Sequence, residues 1–152
     1  MHILIADDDA VCRSFVEEMA KSWGFTVSLA ADGEEAMAAV RANPAPEILI
    51  LDWMMPKLDG FEVCRRLKQS GQGLYIIMIT GGGHKDDLIK PLVAGADDYI
   101  VKPFEGLDLK LHLRNAVTII KLRAENADLR AQLAGASQRS PRPAPVPAAS
   151  TT

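Results

Sequence analysis

Asp7-Asp8-Asp9, Asp52 and Lys102 are the residues whose types and spacing point most directly to chemistry. Carboxylates gathered in one low-dielectric cleft repel one another unless a cation shares the space. Oxygen donors without a His/Cys cluster favour Mg²⁺, which takes a few carboxylates, a backbone carbonyl and waters in octahedral geometry. Asp8 and Asp52 are the expected direct ligands, Asp7 is expected to act through water, and the backbone carbonyl of Met54 offers a further oxygen. Asp9 is expected to cap a helix instead. A carboxylate that touches such a metal and faces a lysine is also arranged to attack phosphorus. The two cations neutralise the oxygens of the transferring group while the aspartate becomes an acyl phosphate. Lys102 supplies the ammonium, and a cis Lys102–Pro103 bond would turn its side chain back into the cleft. Thr80 can donate its hydroxyl to the same oxygens, and Gly81 beside it leaves room for the group to arrive.

These residues need a scaffold that brings them to one edge. The apolar runs at 2–6, 47–51 and 98–101 read as buried parallel strands, so the charged residues just after them converge at the carboxyl edge of a sheet, where open α/β folds place their sites. Two more strands are expected at 25–29 and 74–79, and helices at 10–22, 33–42, 60–70 and 85–94. The layout is a (βα)5 doubly wound, five-stranded parallel sheet with helices on both faces.

The last helix has no evident stop between Glu105 and Leu133, where there is no proline and only Gly106 near the start. Leu109, Leu113, Ala116 and Ile120 make a stripe for the sheet, whereas Ile119, Leu122, Asn126, Leu129 and Leu133 follow the 3,4 spacing of a coiled coil. A single Asn at an a-type position suits a parallel two-stranded register. The expectation is a parallel homodimer through this helix, against a lone amphipathic tail folding back on its own domain. Four prolines between 141 and 147 then forbid a helix and leave a disordered tail or linker. The expected organisation is therefore a first domain over 1–120, a helical extension over 121–134 and the Pro/Ala-rich segment over 135–152, which serves either as a free tail or as a linker to an output domain in a longer protein.

Composition limits the function classes. Residues 1–104 carry sixteen Asp/Glu against ten Lys/Arg, so this part is poorly suited to nucleic acid. The basic residues of the last helix alternate with Glu and Asp, as on the flank of a solvated coiled coil. No apolar run approaches the length of a membrane span and no signal peptide opens the chain. Cys12 and Cys64 form no CxxC and read as two reduced thiols, which points to the cytoplasm.

The segments ILIADDD at 3–9, LILDWMMPKLDG at 49–60, IIMITGGG at 76–83 and GADDYIVKPF at 95–104 together resemble the receiver domain of two-component response regulators, a CheY-like, flavodoxin-like fold. The resemblance implies that Asp52 accepts a phosphoryl group from a histidine kinase or phosphotransfer protein. It also implies that Asp7 and Asp8 form the acidic pair, Met54 lends its carbonyl, Thr80 is the switch hydroxyl, Lys102 the paired lysine and Tyr99 the switch aromatic. Gly81-Gly82-Gly83 and the apolar Met54 depart from the commonest pattern, as does the long last helix. Two other readings compete. An aspartyl-phosphate phosphatase needs an acid two residues after the nucleophile, where Met54 stands, and an interaction scaffold would not need the complete acidic and lysine set. Trp53 is expected either to pack around the turn or, exposed beside Asp52, to contact a partner; His2, His84 and His112 make no ligand set.

Overall fold

Short runs of Ile, Leu and Val form the sheet, and their period of two divides the core into two layers. The computed structural model describes residues 1–82, 85–138 and 144–150. It divides into two units, Met1–Ile120 and Lys121–Thr152. In the first, β1 (His2–Ala6), β2 (Thr26–Ala30), β3 (Ile48–Asp52), β4 (Tyr75–Thr80) and β5 (Asp98–Val101) pair in the order β2-β1-β3-β4-β5, all parallel. Between them run α1 (Ala10–Ser22), α2 (Gly33–Ala39), α3 (Gly60–Gln69) and α4 (Lys85–Ala94), followed by α5 (Gly106–Ser137). The doubly wound (βα)5 architecture expected from the sequence is present.

Alternate residues of each central strand serve opposite faces. Ile3, Ile5, Ile48, Ile50, Ile77 and Ile79 join Val16 and Ala20 of α1 and Leu109, Leu113 and Ala116 of α5. Leu4, Ala6, Leu49, Leu51, Ile76 and Met78 join Ala36, Val63, Cys64, Leu67 and Ala94 on the other face. Both faces of β3 are thus covered, and all five of its residues are buried.

Three aspartates start three helices. Asp9 accepts from the Val11 amide at 2.9 Å, Asp32 from Glu35 at 2.8 Å and Asp59 from Glu62 at 2.8 Å. The expected end of α2 at residue 42 is corrected to Ala39: Arg41 N donates to Ala38 O and Ala42 N to Ala39 O, tight i→i+3 bonds that close the α-helix early. At the other extreme α5 runs through Gly135 to Ser137, 32 residues or about 48 Å. A lone glycine costs a helix only about 1 kcal/mol, too little to stop it. The second stripe also begins later than expected, because Ile119 packs with Ile120 and Val117 against the core beside α1. In the second unit Leu122, Leu129 and Leu133 are exposed, and residues 144–150 adopt no helix or strand. Among the described residues, no helix is long and apolar enough to cross a membrane.

Candidate functional site

The backbone fixes the site before any side chain contributes. Beyond the strand ends the parallel ladder continues: Asp7 N donates to Ala30 O at 3.2 Å, Trp53 N to Ile79 O at 2.9 Å and Lys102 N to Thr80 O at 2.7 Å. With β1 and β4 flanking β3, Asp7 follows Ala6 as Asp52 follows Leu51, the register partner of Ala6, and Thr80 follows Ile79, the register partner of Asp52. All three therefore arrive at the carboxyl edge, at the switch point where strand order reverses. Lys102, one strand further out, reaches back with its ammonium to 3.1 Å from Asp52 Oδ1 and 3.5 Å from Asp7 Oδ2. The Lys102–Pro103 peptide is cis, an isomer that the sequence left open.

Three carboxylates meet here. One oxygen from each of Asp7, Asp8 and Asp52 lies within 4.8 Å of the others. Asp7 and Asp52 are buried and Asp8 is exposed, so the group opens to solvent on one side only. Burial first, and then the charge of Asp7, push the Asp52 carboxyl up to about 6 despite the nearby lysine. Burial alone would lower the Lys102 ammonium, but Asp52 and then Asp7 outweigh it and hold it above the usual lysine range. One ammonium therefore leaves the trio short of positive charge. The donor set, all hard oxygen with one solvent-open member, fits a divalent cation.

A second shortfall lies beside it. Thr80 is 3% exposed, and its buried hydroxyl has no hydrogen-bond partner. Such a group normally finds one. A ligand oxygen arriving at this edge would supply it.

The remaining expected residues fall as follows. Asp9 caps α1 and stays out of the trio. Met54 is 75% exposed, and its thioether gives a phosphatase no acid two residues after Asp52. Tyr99 is half-buried on β5 against the core. Trp53 is half-buried rather than a free exposed ring, edge-on to Phe61 at 5.6 Å and under the Lys90 ammonium at 5.7 Å. Cys12 and Cys64 are free thiols, and burial raises them to about 12 and about 11. His112 binds Asp98 at 2.5 Å and His2 meets Ser28 at 2.8 Å, so both serve structure. His84 lies outside the described residues.

Sequence reasoning missed two contributors. Gly60 sits so close to β3 that a Cβ there would lie 2.1 Å from the Asp52 carbonyl oxygen, while its amide donates to Trp53 O at 2.9 Å. Arg13 donates to the Asp7 carbonyl at 2.6 Å, tying α1 to the acidic end of β1. The only sequence signal for the first was a glycine directly after a capping aspartate; the second left none.

Comparison with known proteins agrees with this geometry. The response regulator receiver domain family matches residues 3–114. Response regulator MprA of Mycobacterium ulcerans (strain Agy99) is 39% identical over 127 residues, 84% of this chain and 54% of that protein. MprA of Mycobacterium leprae (strain TN) is 42% identical over 114 residues, 75% of this chain and 50% of that protein. The chain spans about half the length of the curated relatives it matches. Among solved structures, a putative response regulator from Chloroflexus aurantiacus J-10-fl superposes with a TM-score of 0.73 at 34% identity, covering 77% of this chain and 97% of that one. NtrX from Brucella abortus gives 0.78 at 31%, covering 84% of this chain and 29% of that one. With its sheet order, its acidic edge and these relatives in agreement, the chain belongs to the response regulator receiver domain family.

Proposed function

We propose that Asp52 accepts a phosphoryl group from a histidine kinase or histidine phosphotransfer protein and that the chain relays its phosphorylation state to a partner or output module. The observation that carries this reading is a buried carboxylate 3.1 Å from a lysine ammonium, inside a carboxylate trio and beside an unpartnered threonine hydroxyl. An oxygen of ionised Asp52 attacks phosphorus as the donor's phosphorus–nitrogen bond breaks. Asp52 is left as an acyl phosphate and the donor as free imidazole. Asp8, Asp52 and the Met54 carbonyl would hold Mg²⁺ directly and Asp7 through water, and the ion would supply positive charge for the phosphoryl oxygens. Lys102 exchanges its contact with Asp52 for one with a phosphoryl oxygen, and Thr80 Oγ1 donates to another. Drawing Thr80 inward frees space that Tyr99 can enter, which biases a two-state equilibrium of the β4–β5 surface.

A donor protein has a surface to meet beside the site. Val11 is 79% exposed and Phe15 36%, and both line a cleft with Lys102, Pro103 and Phe104. Two free thiols suit a cytoplasmic setting. The later part of α5 carries the output side of the proposal, as a parallel homodimer.

The test separates metal binding from phosphoryl transfer. Lys102→Ala is expected to bind Mg²⁺ at least as tightly as the unaltered chain by calorimetry, yet to accept phosphoryl from acetyl phosphate on the order of 10²-fold more slowly. Equal labelling rates would remove Lys102 from the reaction.

A further inference from the structure

The second unit carries charges that specify how two copies would pair. We propose that Leu122, Asn126, Leu129 and Leu133 of α5 bind the same residues of a second copy in parallel, in-register fashion, with Glu125 of each copy paired to Arg130 of the other. The inference rests on the parallel homodimer reading above and adds its register and the charge pairs that fix it.

Leu122, Leu129 and Leu133 are 57%, 58% and 72% exposed, although an apolar stripe normally earns its place in a helix by burial. With Leu122 and Leu129 at d, Asn126 and Leu133 fall at a. Glu125 is then at g and Arg130 at the following e, the two positions that meet across a parallel seam. All these residues are exposed, and neither Glu125 nor Arg130 has an ion pair within the chain among the described residues.

Orientation follows from two independent contacts. In a parallel pair Asn126 faces Asn126 of the other copy, and the amides satisfy each other. Turned antiparallel, each amide would face leucine, and e would face e, setting Arg123 near Arg130 of the other copy. The seam is only about two heptads, too short to nucleate a helix unaided. Here nucleation has already been met: Leu109, Leu113 and Ala116 are buried, so α5 is formed before the seam begins.

The experiment uses the full chain, with and without beryllofluoride and Mg²⁺, in sedimentation at micromolar to high-micromolar concentration. The unaltered chain is expected to dimerise in at least one state. Glu125→Arg or Arg130→Glu alone should weaken the dimer about ten-fold, whereas the double swap should restore it, because each exchanged pair is again complementary. Ala136→Cys, at the next d position, should form an intermolecular disulfide under mild oxidation in a Cys12→Ala/Cys64→Ala background whose fold is verified by circular dichroism. A dimer indifferent to the swaps, or one that fails to cross-link at 136, would overturn the parallel register while leaving the homodimer standing. A chain monomeric in every state would overturn both.

Discussion

Asp52 is held in a condition that the folded protein tolerates rather than prefers. Its carboxyl titrates near 6 instead of at the ordinary 3.8, because burial and Asp7 oppose its charge. Between those values the folded chain holds a proton that the unfolded chain has released, so without divalent cation stability falls as pH rises through roughly 4 to 6 and is level above. The deficit at neutral pH is about 2–3 kcal/mol. Asp52→Asn should therefore unfold at higher urea than the unaltered chain in metal-free buffer at pH 7, and the gap should close towards pH 4. An unchanged gap across that range would place the burden elsewhere. The acids and the lysine were legible in the sequence because each directly follows an apolar run. The unpartnered hydroxyl of Thr80 was not: its burial depends on how β4 sits between its neighbours.

Elements position these groups by close approach as much as by hydrogen bonding. The N-terminus of α3 touches the end of β3 through Gly60, where a methyl would meet the Asp52 carbonyl at 2.1 Å. Backbone on both sides leaves little to give, so Gly60→Ala should cost about 2–3 kcal/mol in chemical denaturation and slow phosphorylation as well. Wild-type stability would show that the contact relaxes freely. The strands were readable to within a residue or so because their Ile, Leu and Val alternate between two covered faces, and the Asp9 cap because it precedes apolar periodicity, whereas the caps at Asp32 and Asp59 emerge only in the structure. Periodicity is silent on which residue must be small at a crossing. It also misplaced Ile119, which satisfies a heptad in sequence but packs on the core beside α1.

At the scale of the whole chain, the boundary between units falls after Ile120. A chain ending at Ile120 should fold, accept phosphoryl and sediment as a monomer. One ending at Val117 loses Ile119 and Ile120 from the core and should be less stable by about 1–2 kcal/mol. Equal stability of the two would mean that these isoleucines contribute nothing measurable. The fold was legible because four motifs mark four strand ends, whereas the end of α5 was not, since a glycine at 135 weakens a helix without stopping it. The central claim is that the trio, Lys102 and Thr80 make Asp52 a phosphoryl acceptor. It is tested most directly by intact-mass measurement of the full chain after incubation with acetyl phosphate and Mg²⁺. The expected result is one added phosphoryl group, lost at alkaline pH or with hydroxylamine as an acyl phosphate is, absent without divalent cation and absent in Asp52→Ala. The same labile group appearing in Asp52→Ala, or none appearing in the unaltered chain with either acetyl phosphate or a phosphorylated histidine donor, would contradict it.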